Sequence, residues 1–354
     1  MTTPTRAETI IIYGSYGYTG RLIVQECRDK KLNVILSGRN AGALQRQSAD
    51  TGYPFQVVTT DDVSALRNLL RQGLLVIHCA GPFQFTSKQM VEACIETGTH
   101  YTDITGEYQV FEMLATYDEQ GKKAGITILP GTGFDVVSSD CLARHLKDNF
   151  PDAVNLELAF HMSKGGLSRG TSKTMIEGLG DGSMVREHGK LKSVPLGEKT
   201  MVVDFGAFTT PVLNIPWGDV ATAWYSTGIP NIAVYIGADE KLIRRARLSR
   251  YFNWLLRRRW LKNYLLKKID QKPDGPRDEK RSAGRSYLWG RVTDAHGNSM
   301  VSTLETINGY SLTAKTSVLI ASRILQEDFT TGFQTPAKAY GAALILEVDG
   351  TKLV

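Results

Sequence analysis

The sequence predicts an α/β protein with a parallel sheet in its N-terminal part, C-terminal helices that complete this domain, and a mixed α+β domain inserted between them. Short β-branched runs alternate with helix-length amphipathic stretches up to about residue 129, the pattern changes after Asp135, and helical spacing of apolar residues returns near the end. A parallel crossover needs about a dozen residues and usually a helix, so the first alternation indicates a parallel sheet. We expect the domains at residues 1–135, 136–309 and 310–354.

The predicted strands of the first domain are short apolar runs separated by amphipathic segments. They cover residues 9–13, 33–37, 55–59, 74–79, 101–104 and 126–129. In the inserted domain, residues 154–162 alternate like a half-buried strand and residues 168–179 have helical spacing. Residues 310–326 and 336–346 repeat the helical spacing, which predicts two closing helices that pack on the first domain.

Composition excludes several classes of protein. The chain has 354 residues, 42% of them hydrophobic and 22% charged, which is typical of a folded globular protein and not of a disordered or fibrous one. Four cysteines without metal-ligand spacing predict a reducing compartment and no metal site. Because the sequence has neither a signal peptide nor a long apolar span, we expect a cytoplasmic protein. The apolar second domain suggests a homodimer.

A glycine-rich turn after the first strand is the strongest motif. Gly14, Gly17 and Gly20 stand between an apolar strand and an amphipathic helix, the context of a dinucleotide-binding loop. Backbone N–H groups at the start of the helix would bind the diphosphate. The alternative is a tight strand-to-helix turn without a ligand. The cofactor-binding residues predicted here are Gly14, Ser15, Tyr16, Gly17, Tyr18, Thr19 and Gly20.

The end of the second strand favours NADP(H) over NAD(H). An NAD enzyme normally has Asp or Glu here to bind the ribose 2′-hydroxyl, whereas this chain has Ser37, Gly38, Arg39 and Asn40. Without the carboxylate a 2′-phosphate is not repelled, and the Arg39 guanidinium can pair with it.

Three further loops follow strands that end at the same edge of the sheet, where ligands of open parallel sheets bind. Small residues after the fourth strand would let the cofactor pass closely, and the loops after the fifth and sixth strands would surround the nicotinamide. The residues predicted to bind the cofactor in these loops are Cys79, Ala80, Gly81, Pro82, Phe83, Thr105, Gly106, Glu107, Gly133 and Phe134.

Four residues are candidates for the proton-handling chemistry of a reductase: Tyr101, Asp103, Asp135 and Lys173. The first three lie on the loops that should face the nicotinamide, and Lys173 lies on a segment of the inserted domain that could cover it. Carboxylates at such turns also commonly accept hydrogen bonds from backbone N–H groups, so a capping role is the alternative for Asp103, Glu107 and Asp135.

Basic residues are concentrated in one stretch from Lys241 to Lys268. It holds eleven Lys and Arg residues and no acidic one, interleaved with aromatic residues, and it accounts for the net charge of +6. Such a stretch can lie on an anionic membrane surface or dock an acidic carrier protein. Alternatively it is a solvated helix whose aromatic side packs on its own domain or on a second copy. We expect no nucleic-acid partner.

These motifs resemble the saccharopine dehydrogenase-like oxidoreductases, in particular the branch that contains trans-acting enoyl reductases. The matching stretches are residues 13–21, 37–40, 79–83, 98–107 and 133–140, with weaker likeness at 164–171, 308–314 and 335–340. The resemblance implies a Rossmann domain, an intervening substrate domain and hydride transfer from NADPH. The sequence departs from the family pattern at residues 306–310, which affects the substrate more than the cofactor.

The resulting hypothesis is an NADPH-dependent reductase that acts on a C=C bond of a hydrophobic or carrier-bound enoyl substrate. One alternative is a C=N or C=O reductase like saccharopine reductase, whose carboxylate-bearing substrate would require Arg or Lys inside the cleft. A second alternative is an NADP-binding adaptor on a membrane surface, without turnover.

Overall fold

The computed structural model describes residues 6–163 and 166–353. The chain forms two compact units, the first from Met1–Val137 and Tyr310–Ala339 and the second from Ser138–Gly309 and Tyr340–Val354.

The strands are β1 (Thr9–Tyr13), β2 (Asn33–Gly38), β3 (Phe55–Val57), β4 (Leu75–His78), β5 (His100–Asp103), β6 (Thr127–Leu129), β7 (Asn155–Met162), β8 (Ser183–Glu187), β9 (Lys190–Val194), β10 (Thr200–Asp204), β11 (Thr209–Asn214), β12 (Asn231–Gly237), β13 (Arg285–Thr293), β14 (Ser299–Ile307), β15 (Gly332–Phe333) and β16 (Lys352–Leu353). The helices are α1 (Tyr18–Asp29), α2 (Ala41–Thr51), α3 (Val63–Leu70), α4 (Ser87–Thr97), α5 (Tyr108–Ala115), α6 (Asp118–Ala124), α7 (Phe134–Asn149), α8 (Arg169–Glu177), α9 (Asp219–Thr227), α10 (Glu240–Ser249), α11 (Asn253–Leu256), α12 (Arg259–Asp270), α13 (Asp278–Ser282), α14 (Gly309–Leu325) and α15 (Pro336–Tyr340).

The first unit is built on a seven-stranded sheet in the order β15-β6-β5-β4-β1-β2-β3, with every pair parallel. All five residues of β1 are buried, as expected for a central parallel strand covered on both faces. The predicted α/β fold and its six parallel strands are confirmed, and each strand end lies within two residues of its predicted position. The sequence analysis missed β15, because two residues are too few to show a periodic pattern.

The second unit contains a mixed sheet in the order β10-β11-β12-β7-β13-β14-β16, to which β8 and β9 add at β12. The β12–β7 pair is parallel, and the other pairs of this sheet are antiparallel. One face of the sheet packs around Val185, Val203, Val212, Tyr235 and Trp289. The predicted mixed α+β domain is thus confirmed as a sheet-centred unit.

The C-terminal region differs from our prediction in one respect. The predicted helix at residues 336–346 ends at Tyr340, since Gly341 has a φ of 78° and a 3-10 turn follows at Ala342–Glu347. Residues 340–354, which we had grouped with the helices returning to the first domain, lie in the second unit, where β16 pairs with β14.

Candidate functional site

The candidate site lies at the carboxyl edge of the parallel sheet in the first unit. The chain order reverses between β1 and β4, because β2 and β3 follow on one side of β1 and β4, β5 and β6 on the other. Dinucleotides bind at such a reversal point, outside the carboxyl ends of the strands. The five loops predicted to bind the cofactor all leave strands at this edge.

The loop after β1 has the geometry of an anion cradle. Gly14 has a φ of 81°, and a Cβ there would lie 2.9 Å from the Cβ of Ala80, so only glycine lets these two loops approach so closely. A Cβ on Gly20 would meet the carbonyl oxygens of Gly14 and Ser15. Gly17 is the N-cap of α1 and has no side chain to cap the helix, whose positive end faces this loop. Tyr16, Gly17, Tyr18 and Thr19 are all partly exposed around it.

The other loop residues support this cradle from behind. The buried Ser15 hydroxyl donates to Oε1 of Gln47 at 2.7 Å, and Nε2 of Gln47 donates to the carbonyl of Ser15 at 2.9 Å. A Cβ on Gly38 would lie 2.6 Å from the ring of Tyr16, whose hydroxyl accepts the N–H of Asn40 at 3.2 Å. Gln47 was missed by the sequence analysis, and its only signal is a polar residue on the buried face of α2.

At the end of β2, two polar side chains form hydrogen bonds with the backbone, and one cationic side chain is exposed to solvent. The Ser37 hydroxyl donates to the carbonyl of Gln56 at 2.9 Å, and Oδ1 of Asn40 accepts the N–H of Ala43 at 3.0 Å as the N-cap of α2. Both side chains therefore make structural hydrogen bonds, and their contact with the cofactor stays a prediction. Arg39 is exposed, and nothing in the described part of the chain forms a hydrogen bond or ion pair with its guanidinium.

Glu107 joins the loops after β4 and β5. Its carboxylate accepts the N–H of Phe83 at 2.8 Å and that of Gln84 at 2.9 Å, and its own N–H donates to the buried Thr105 hydroxyl at 3.1 Å. The capping alternative therefore describes Glu107 better than cofactor binding by its carboxylate. The ring of Phe83 and the hydroxyl of Thr105 are buried as well, whereas Gly81 is exposed and Cys79, Ala80, Pro82 and Gly106 are partly exposed at the loop surface.

Asp103 organises the site from inside the protein. Its fully buried carboxylate accepts the Tyr101 hydroxyl at 2.6 Å, the Thr105 N–H at 3.0 Å and the Gly131 N–H at 2.8 Å. Burial raises the pKa of Asp103 to about 6, although these hydrogen bonds favour its ionised form. Tyr101 is also fully buried, and burial raises its pKa well above the usual value. The polar atoms of Tyr101 and Asp103 bind each other and the backbone, which gives both residues a positioning role. That they are catalytic stays a prediction.

Asp135 is more exposed to solvent than Asp103. It lies in the first turn of α7 and is partly exposed, and a Cβ on Gly106 would be 3.3 Å from its Oδ2. Burial raises the pKa of Asp135 from 3.8 to about 7. A carboxyl with this pKa, partly open at the predicted edge, has the properties expected of a group that exchanges protons near neutral pH.

The loop after β6 is fastened to α14. A Cβ on Gly133 would lie 2.8 Å from Thr313, and the N–H of Phe134 donates to the Thr313 hydroxyl at 2.9 Å. The Thr316 hydroxyl donates to the carbonyl of Thr132 at 2.6 Å. Gly133 is thus needed for close helix packing, and both Gly133 and Phe134 are buried, which argues against direct cofactor contact by the Phe134 ring. Thr313 and Thr316 were missed because they lie about 180 residues away in sequence.

Lys173 lies in the second unit, on α8. Its Nζ is 2.5 Å from Oδ1 of Asp270 on α12, so the ammonium group is ion-paired with a neighbouring helix. That Lys173 is catalytic stays a prediction. The segment that begins at Lys164 and Gly165 starts outside the described residues, and Ser168 caps α8 by accepting the N–H of Thr171. Over residues 6–163 and 166–353, no cluster of His, Cys, Asp or Glu is arranged to hold a metal ion.

Comparison with known proteins agrees with this architecture. Residues 10–129 match the family model for the saccharopine dehydrogenase NADP binding domain. A saccharopine dehydrogenase-like oxidoreductase of Homo sapiens is 30% identical over 224 residues, which cover 55% of this chain and 52% of the human protein. A trans-acting enoyl reductase of Mycobacterium ulcerans is 27% identical over 154 residues, which cover 41% of this chain and 37% of that protein.

The fold is shared more widely than the sequence. Apo saccharopine dehydrogenase (L-Glu forming) from Saccharomyces cerevisiae superposes with a TM-score of 0.65 at 14% identity, over 98% of this chain and 100% of the yeast chain. The chain spans about half the length of the human relative. Residues 10–129 thus match the saccharopine dehydrogenase NADP binding domain, and the chain is similar in sequence to saccharopine dehydrogenase-like oxidoreductases.

Proposed function

We propose that this chain is an NADPH-dependent reductase that reduces a C=C bond of a hydrophobic or carrier-bound enoyl substrate. The observation that carries the proposal is the glycine-rich turn at the start of α1 beside the exposed Arg39, at the reversal point of a parallel sheet. Together they would bind the diphosphate and the 2′-phosphate of NADP(H).

The residues present fit an NADP-type cofactor. The first-turn N–H groups of α1 would hold the diphosphate, Gly14 and Gly17 would let the backbone approach it, and Arg39 would pair with the 2′-phosphate. No carboxylate ends β2 to repel that phosphate. When bound, NADPH supplies the hydride.

Asp135 is our candidate for the proton-handling group. With a pKa of about 7, its carboxyl is partly protonated at neutral pH and can hold or release a proton at one oxygen. Asp103 and Tyr101 position the loops on either side of it through the Thr105 and Gly131 N–H groups. Burial of this network excludes water from the floor of the site.

The choice of a C=C bond is supported by the relative named a trans-acting enoyl reductase and by the motif resemblance in the first unit. C=N and C=O acceptors would use the same hydride donor. Cytoplasmic location and a homodimer remain predictions. Every helix in the part of the chain that the structure describes is too short or too polar to cross a bilayer.

The test is a fluorescence titration with NADPH and NADH. We expect Arg39→Ala to weaken NADPH binding about tenfold, roughly 1.4 kcal/mol, and to leave NADH binding unchanged. The matched control is Arg28→Ala, because Arg28 is exposed in the last turn of α1, at the opposite edge of the sheet. Failure of the wild type to bind either cofactor, or equal losses in both variants, would contradict the cofactor assignment.

A second assay addresses the acceptor. NADPH oxidation is followed spectroscopically with an enoyl thioester, a cyclic imine and an apolar ketone as acceptors. Faster oxidation with the enoyl thioester supports the proposal. Preference for the imine or ketone would replace C=C reduction by the corresponding alternative. NADPH binding without oxidation by any acceptor would favour the adaptor without turnover.

A further inference from the structure

The stretch from Lys241 to Lys268, which we call the basic segment, exposes aromatic rings that the reductase proposal does not use. It forms α10, a 3-10 turn, α11 and most of α12 in the second unit. Among the aromatic side chains that the structure describes, six are exposed, and five of them lie here: Tyr251, Phe252, Trp254, Trp260 and Tyr264. Trp254 and Trp260 are each 64% exposed. The aromatic side of this segment therefore does not pack on its own unit.

A different face of the segment anchors it. In α10, Ile243 and Ala246 pack against Leu213 and Ala238. In α12, the Lys262 ammonium donates to the carbonyl of Glu177. The segment is thus attached to the second unit through a few buried residues, which leaves the rings and most cations facing outward.

About half of the cations of the basic segment are available to a partner. Arg247 and Arg259 are used internally, since Arg247 donates to the carbonyl of Gly197 at 2.9 Å and Arg259 pairs with Glu177 at 2.7 Å. Other cations are exposed and form no hydrogen bond or ion pair with the described residues. They are Lys241, Arg244, Arg245, Arg258 and Lys267.

We propose that the basic segment is a docking surface for an anionic lipid bilayer. Trp and Tyr carry an apolar ring with a polar tip and lie at the headgroup boundary, while Lys and Arg are attracted to anionic lipids. Cations and rings are interleaved from Arg250 to Lys268, the composition of a surface that lies at the headgroup boundary of an anionic bilayer. A symmetric dimer through this surface would place two unbalanced positive patches against each other. The inference does not depend on the reductase activity.

The experiment is co-sedimentation of the full chain with lipid vesicles. One set contains phosphatidylcholine alone, and the other also contains about 30% phosphatidylglycerol. We expect binding to the anionic vesicles only, with loss of binding at about 1 M NaCl, where the Debye length is about 3 Å. Tryptophan emission should shift to shorter wavelength on binding, because Trp254 and Trp260 leave water.

Matched variants separate this surface from general charge effects. The triple variant Arg244→Gln, Arg245→Gln and Arg258→Gln should bind anionic vesicles at least about tenfold more weakly. The control Arg28→Gln, Lys31→Gln and Lys123→Gln neutralises as many exposed cations in the first unit and should bind like wild type. Trp254→Ala with Trp260→Ala should abolish the emission shift. Circular dichroism verifies that each variant is folded, and the salt series on the wild type tests the proposal without any variant.

Several results would overturn the inference. One is that the protein does not sediment with anionic vesicles at low salt. Another is that it binds neutral vesicles as strongly as anionic ones and that salt does not weaken this binding. A third is that the control variant binds anionic vesicles as weakly as the triple variant of the basic segment. A dimer whose formation shifts the emission of Trp254 and Trp260 without lipid, and whose surface excludes vesicles, would assign the segment to a second copy. Binding of an acidic carrier protein with no vesicle binding would assign it to that partner.

Discussion

Removing the Asp103 carboxylate should destabilise the protein through three donors that lose their acceptor. Oδ2 accepts the Tyr101 hydroxyl, and Oδ1 accepts the N–H groups of Thr105 and Gly131. Asp103→Ala leaves these buried groups unsatisfied, at about 1 to 3 kcal/mol each. We expect the free energy of unfolding to fall by about 3 kcal/mol or more.

Asp103→Asn is the matched control. The amide keeps a carbonyl oxygen for the two backbone N–H groups, and its NH₂ can donate to the Tyr101 oxygen after the hydroxyl rotates. It also removes a buried charge, whose cost is reflected in the pKa of about 6. We expect Asp103→Asn to stay within about 1.5 kcal/mol of the wild type and to retain NADPH binding and turnover.

Urea unfolding, followed by circular dichroism at pH near 7, measures both changes through the midpoint and the slope. Equal stability of the Ala and Asn variants would refute the hydrogen-bond reasoning. A folded Asp103→Asn variant that binds NADPH but has lost turnover would show that Asp103 takes part in the proton chemistry and is more than a positioning residue.

Three further predictions concern the same edge of the sheet. Gly20→Ala forces a Cβ against the carbonyl oxygen of Gly14, so we expect loss of NADPH binding in the titration and a lower thermal midpoint, whereas wild-type affinity would contradict the close packing. Glu107→Gln replaces one of the two acceptor oxygens that hold Phe83 and Gln84, and urea unfolding should show a loss of about 1 to 2 kcal/mol. The raised pKa of Asp135, about 7 against 3.8, means that the stability from its protonated form is fully present below about pH 4 and is lost as the pH rises through about 7. Asp135→Asn should therefore flatten the decline in unfolding free energy between about pH 4 and pH 7, and an unchanged decline would show that the carboxyl is not desolvated.

Features that depend on neighbours along the chain were predictable from the sequence. The six central strands follow from β-branched runs, and the cradle follows from Gly14, Gly17 and Gly20, because a positive φ and a close backbone approach are demands that glycine meets locally. The unopposed Arg39 at the end of β2 was visible for the same reason. The family motifs of the first unit lie in these same local segments, and the match of residues 10–129 confirms them.

The hydrogen-bond and ion-pair partners of the polar side chains were decided by the tertiary structure. Tyr101, Asp103 and Glu107 stand at strand ends like catalytic residues, yet their polar atoms bind buried donors contributed by other loops. Lys173 is paired with Asp270, about a hundred residues away. A sequence pattern predicts which residue types lie at the edge of the sheet. The hydrogen-bond partner of each side chain, however, comes from a part of the chain that only folding brings next to it.

The same reasoning applies to the basic segment. The sequence determined its charge and its aromatic content, because both are properties of composition. Only the tertiary structure decided that Ile243 and Ala246 pack inward while Trp254 and Trp260 stay in solvent. The physical reason is that the apolar surface a helix buries depends on the shape of the unit it packs against, which residues distant in sequence build.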